Sequence, residues 1–174
     1  MTADRKKTYH FTAKRACYIA AMTAILITCK EAISSLPNVE LVTLLVCLFR
    51  VHFGVDTLFV IYIFAVVEGL IYGFHPLWWI PYLYVWTILW AVSHLLKKED
   101  SPLAWAAMMG IYGLLFGALC TLPYFAVGDW AGGLAYFLSG LSFDLIHCVA
   151  NFCVGLVLWK PLNNALDHVS KGYC

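Results

Sequence analysis

The chain has 174 residues, eleven Lys and Arg, ten Asp and Glu, and a formal net charge of +1. Hydrophobic residues make up 63% of it and charged residues 12%, against about half and about a quarter in soluble domains, and the mean hydropathy is +0.81. An ordinary soluble domain is excluded. So is a nucleic-acid surface, because the basic residues flank apolar runs and do not alternate with exposed aromatics. What remains is one all-α integral membrane domain. Uncharged runs cover 69–96 and 101–128, each longer than the ~20 residues that cross a bilayer core. The length leaves room for six spans joined by short loops.

Residues 1–15 are basic, with Arg5, Lys6, Lys7, Lys14 and Arg15, and the positive-inside rule puts them in the cytoplasm. No small-residue cleavage site follows, so the first apolar run is expected to be retained. The first span is expected over 16–35. Ala16, Ala20 and Ala24 recur every fourth residue in it, a smooth stripe that lets another helix approach closely, inside this chain or on a partner. Lys30 and Glu31 sit near its outer end, to neutralise other groups or to face the interface. Pro37 ends that helix, and Asn38 and Glu40 lead into a short second span over 39–53. Gly54-Val55-Asp56 is the inner turn.

The third span, 57–74, contains Glu68, with Tyr72 one turn on. A lone Glu in an apolar helix costs roughly 2.5–3.5 kcal/mol on insertion scales and calls for a partner or a function. His75-Pro76 marks the second outer loop. The fourth span, 77–96, is aromatic. Trp79, Tyr82, Trp86 and Trp90 fall within about 80° of one another on a helix. Interfacial belts and plain packing explain many such stripes, but this one runs deeper than a belt. Lys97-Lys98-Glu99-Asp100 forms an inner loop. The fifth span, 103–127, has Ala106, Gly110, Gly113 and Gly117 on one face for close packing, and Pro123 should bend its outer end. Three glycines in 131–140 predict a broken or re-entrant approach to the last span, 141–159. A cytoplasmic tail follows from Lys160-Pro161.

That last span carries Asp144, His147 and Asn151 at spacings of three and four, which puts them on one helix face. Such a stripe faces other helices or a wet cavity, never lipid. Ten of the eleven Lys and Arg fall on the assigned inner side, which is the asymmetry of six spans with both termini inside. The outer half gathers Glu31, Glu40, Glu68 and Asp144 against Lys30 alone. If they converge, the cavity is acidic and aromatic and suits a neutral or cationic planar heterocycle. The candidate binding residues are therefore Asn38, Glu40, Glu68, Tyr72, Trp79, Tyr82, Trp86, Asp144, His147 and Asn151. The seven cysteines form no Cys-x-x-Cys pair, so a disulfide framework or zinc site is not expected.

The alanine stripe Ala16–Ala24, the stretch SLPNVELVTLL and the final FDLIHCVANF…WKPL give the chain a resemblance to a family. It resembles the substrate-binding S component of energy-coupling factor (ECF) vitamin transporters, of the Firmicute type. The resemblance implies six helices in a bacterial cytoplasmic membrane. It implies capture of a vitamin or precursor from outside and docking on a transmembrane EcfT subunit with two ATPase subunits. It puts Ala16, Ala20 and Ala24 at the EcfT interface, and gating at Pro37-Asn38 and at the loops near His75 and Asp129. No Gly-Lys-Ser or Gly-Lys-Thr occurs, so ATP would be used by the partners and no cofactor is expected in this chain. The substrate subgroup is open: cobalamin, a pyrimidine or pyridine precursor, or a deazapurine. Two other classes compete. Asp144, His147 and Glu68 can be drawn as an intramembrane catalytic centre or, with Cys148, as the ligands of a metal-ion carrier. A purely structural membrane subunit is the plainest alternative.

Overall fold

The computed structural model describes residues 11–173. Arg5, Lys6, Lys7 and Cys174 lie outside the described residues. The described residues form helices and no strand, as hydrocarbon demands of a chain whose backbone groups must bond within their own segment. In order these are α1 (Ala13–Ala32), α2 (Val42–Phe53), α3 (Asp56–Tyr72), α4 (Pro76–Ser93) with a 3₁₀ turn at His94–Leu96, α5 (Pro102–Cys120), α6 (Leu122–Val127) and α7 (Trp130–Ser170). Three helical stretches are long and apolar enough to cross a membrane: Pro76–Leu96, Pro102–Val127 and Trp130–Ser170. The chain is a helical protein with the make-up of a membrane-embedded one.

α2, with 12 residues, is short and forms the centre of the bundle. Val42 through Phe49 are all buried, between α1, α3, α4 and α7. The most extensive packing joins α5 to α7. A Cβ on Gly113 would lie 2.9 Å from the His147 carbonyl oxygen, and one on Gly117 would run into the Asp144 carboxylate. The glycine face of α5 thus serves to bring the polar face of α7 close. Lower down, Trp105 and Trp159 stack with centroids 3.9 Å apart.

Helix ends follow local chemistry. The Thr12 side chain caps α1, the Ser101 side chain caps α5 and the Asp129 carboxylate caps α7. Pro123 cannot supply the amide that would bond the Leu119 carbonyl. The chain changes from α5 to α6 at Thr121, and the Tyr84 hydroxyl donates to that carbonyl at 2.7 Å.

Two expectations fail around α7. The segment 131–140 is neither broken nor re-entrant: one helix runs from Trp130 to Ser170. Its glycines are offset by packing against α6, where Tyr124 stacks on Tyr136 at 3.8 Å and Gly133 sits under the Phe125 ring. The helix also continues through Lys160-Pro161. Its last turns are tied back by His52 to Asn163 at 2.9 Å and by Tyr173, whose ring meets Tyr18 and Phe53 at 5.1 and 5.0 Å. Asp56 pairs with Arg15 at 2.9 Å and joins α1 to α3 at this same, Gly54, end.

Candidate functional site

At the opposite end the connection from α1 to α2 crosses over the bundle. Asn38 takes a left-handed conformation there, φ 59°, which Asn tolerates better than most residues. Beside it lies a cavity of about 200 Å³ lined by Lys30, Asn38, Glu40, Tyr82, Trp86, Phe116, Asp144 and His147. A second cavity of about 320 Å³ runs along the end of α5 and α7, and shares Asn38, Phe116 and Asp144 with the first.

Glu40, His147 and Lys30 are held from behind. Glu40 accepts the Thr43 amide at 2.8 Å at the start of α2, and its other oxygen meets His147 Nε2 at 3.3 Å. Asn151 Nδ2 donates to Thr43 Oγ1 at 3.3 Å. The loop and α2 are thereby fastened to the polar face of α7. Phe116 stands edge-on to the His147 ring at 5.1 Å. Tyr82 is edge-on to Trp86 at 5.7 Å and stacked against Phe64 at 5.9 Å, so the aromatic wall is a braced set of rings.

Two wall groups are not satisfied among the described residues. Asp144 is 4% exposed; its Oδ1 accepts the Gly117 amide at 3.0 Å, while its Oδ2 is buried with no partner. Trp86 is 3% exposed, and its indole N–H is likewise buried and unpartnered. An unmade buried hydrogen bond costs about 1–3 kcal/mol. One orphan acceptor and one orphan donor in the same cavity wall suit a molecule that offers the complementary pair.

The structure thus brings Asn38, Glu40, Tyr82, Trp86, Asp144 and His147 to one cavity. It does not bring the other four candidates there. Glu68 is buried in a salt bridge with Lys30 at 2.6 Å. Tyr72 is exposed; its hydroxyl donates to Glu31 at 2.7 Å, and its ring lies 4.1 Å from Lys30 Nζ. The Trp79 indole donates to the Ala65 carbonyl at 2.8 Å, and its ring packs on Phe74 at 5.0 Å. Asn151 does not line either cavity. Phe116 and Lys30 are wall residues the spacing argument missed. Phe116 was hidden beside the glycine face. Lys30 was signalled only as the single cation among the outer carboxylates. Its bridges to Glu31 and Glu68 (2.7 and 2.6 Å) also change the expected charge. Glu31 and Glu68 do not line the cavity, which holds Glu40 and Asp144 beside Lys30, so it is less acidic than four converging acids would make it.

His147 bonds Glu40 rather than Asp144, so the helix-face pair is not a base with its orienting carboxylate. Among the described residues no group of three His, Cys, Asp or Glu side chains is placed to hold a metal ion. On the outside of α1, Ala20 and Ala24 are exposed. With Ala16 and Ile63 they line an apolar groove of about 440 Å³.

Comparison with models of protein families, with curated proteins and with solved structures finds no match to this chain.

Proposed function

We propose that this chain is the substrate-binding membrane subunit of an ECF-type importer. It spans a bacterial cytoplasmic membrane six times with both termini inside. It binds a vitamin or vitamin precursor, a neutral or cationic planar heterocycle, in the cavity beside Asn38 and hands it to an EcfT and ATPase module. It is not itself an enzyme. The observation that carries this reading is that Trp86 and Asp144, whose buried Nε1 and Oδ2 lack partners, both line a cavity walled by braced aromatic rings. A planar solute would stack on the aromatic wall, donate to Asp144 and accept from Trp86. The two adjoining cavities together have the size of a small-molecule site. The exposed alanine groove on α1 supports a docking role, because nothing among the described residues fills it.

The test is native mass spectrometry of the detergent-purified protein with identification of what co-purifies, followed by titration of that solute. Trp86→Phe removes the free N–H together with part of a packed indole ring, so affinity should fall at least about five- to tenfold, the worth of one hydrogen bond. Asp144→Asn keeps an acceptor for Gly117 but turns the open oxygen into a donor, and should cost at least about tenfold. Unchanged affinity in both variants would move the site elsewhere. An empty protein that gives no thermal shift with any vitamin or precursor would favour a structural subunit.

A further inference from the structure

At the Gly54 end, far from the solute cavity, three basic side chains crowd together with no acid among them. Arg50, in the last turn of α2, lies over the Trp90 ring, 4.4 Å from its centroid. That ring is fixed by its indole N–H, which donates to the Gly54 carbonyl at 3.0 Å. Arg50 Nη2 meets His94 Nδ1, and Lys97 Nζ stands 3.4 Å from His94 Nε2. Guanidinium and ammonium groups only donate, and a neutral imidazole has one acceptor nitrogen. With Nδ1 accepting from Arg50, Nε2 carries a hydrogen and points it at an ammonium. One of the two contacts is therefore donor against donor, with the imidazole held between two cations. Among the described residues neither Arg50 nor Lys97 has a carboxylate partner. The nearby Glu99 accepts the Ser101 amide at 3.0 Å instead. Arg50 Nε is buried without a partner as well.

We propose that Arg50, His94 and Lys97 seat a phosphate-type oxyanion, and that it is the headgroup phosphate of an anionic phospholipid. An oxyanion between them accepts from the guanidinium, the ammonium and the imidazole N–H at once, and removes the donor conflict. The lipid source follows from position. The cluster ends an apolar helix, and Leu95, between His94 and Lys97, is 81% exposed, a side chain suited to the acyl boundary. Basic groups at the ends of membrane helices attract anionic headgroups. This site does not depend on what the solute cavity holds.

The full chain in nanodiscs of mixed phosphatidylcholine and phosphatidylglycerol, released into native mass spectrometry, should retain phosphatidylglycerol preferentially. Lys97→Gln should lower that preference about fivefold, the factor one basic residue contributes near an anionic surface. Lys98→Gln removes the same charge one residue away and should leave it intact. A matching melting temperature for the two variants shows that folding is not the cause. Equal losses in both, or no preference in the unaltered chain, overturn the proposal. If inorganic phosphate alone raises the melting temperature, in a Lys97-dependent way and without lipid preference, the lipid assignment fails.

Discussion

Lys30→Met isolates the ion pair at the edge of the cavity. Glu68 is 1% exposed and is held by Lys30 at 2.6 Å, while the lysine head is one-fifth exposed and also holds Glu31. Removing one partner of a buried pair costs about 3–5 kcal/mol, because the other charge is left without compensation. The partial exposure of Lys30 argues for the lower end, about 3 kcal/mol. For a chain of this size that corresponds to a melting temperature about 6–12 °C lower. Replacing both partners, Lys30→Met with Glu68→Leu, removes the stranded charge and should recover most of the loss. The assay is thermal unfolding of the four proteins of the cycle in one detergent. Lys30→Met as stable as the unaltered chain, or a double variant no better than Lys30→Met, would refute the idea that Glu68 is a structural charge awaiting its lysine.

Gly117→Ala drives a methyl into the Asp144 carboxylate and should lower both stability, by about 1–3 kcal/mol, and solute affinity. Gly140→Ala, where a methyl meets nothing within 4 Å, should instead raise the melting temperature through helix propensity, by the equivalent of about 0.5–1 kcal/mol. Tyr84→Phe strands the Leu119 carbonyl and should cost about 1–2 kcal/mol. Pro123→Ala in that background restores an amide donor and should recover part of it, measured by the same melts; no recovery would mean that the carbonyl is otherwise satisfied. Ala20→Trp fills the outer groove on α1, so solute binding and folding should be unchanged while transport through the partner subunits is lost. Loss of solute binding in that variant would show that the groove serves the fold of this chain.

The helical architecture was legible because composition and run length admit little else. The face shared by Asp144, His147 and Asn151 could be read from spacing, and all three are buried. What spacing could not supply was partners. Glu68 meets Lys30 across 38 positions, and His147 meets Glu40 across 107, and no local pattern encodes such distances. Glycine and proline misled for a related reason. Their intrinsic cost to a helix is about 1–3 kcal/mol, and stacking on α6 and the anchored tail outweigh it in α7. Tyr72 and Trp79 shared a region with the site without sharing a direction: each spends its polar group on its own bundle.

The continuity of α7 has a mechanical consequence. At 1.5 Å per residue its 41 residues make a rod of about 60 Å, twice the thickness of a bilayer's hydrocarbon core. Asp144 and Ser170 are fixed points on the same rod, about 39 Å apart. A tilt of roughly 10° about the solute end carries the far end through about 7 Å. The far end is the part that His52, Tyr18 and Phe53 grip. A movement of α7 at the cavity is therefore carried to its far end as leverage, with no relay of side chains between the two ends. Pro161 is the point where the rod is most easily bent.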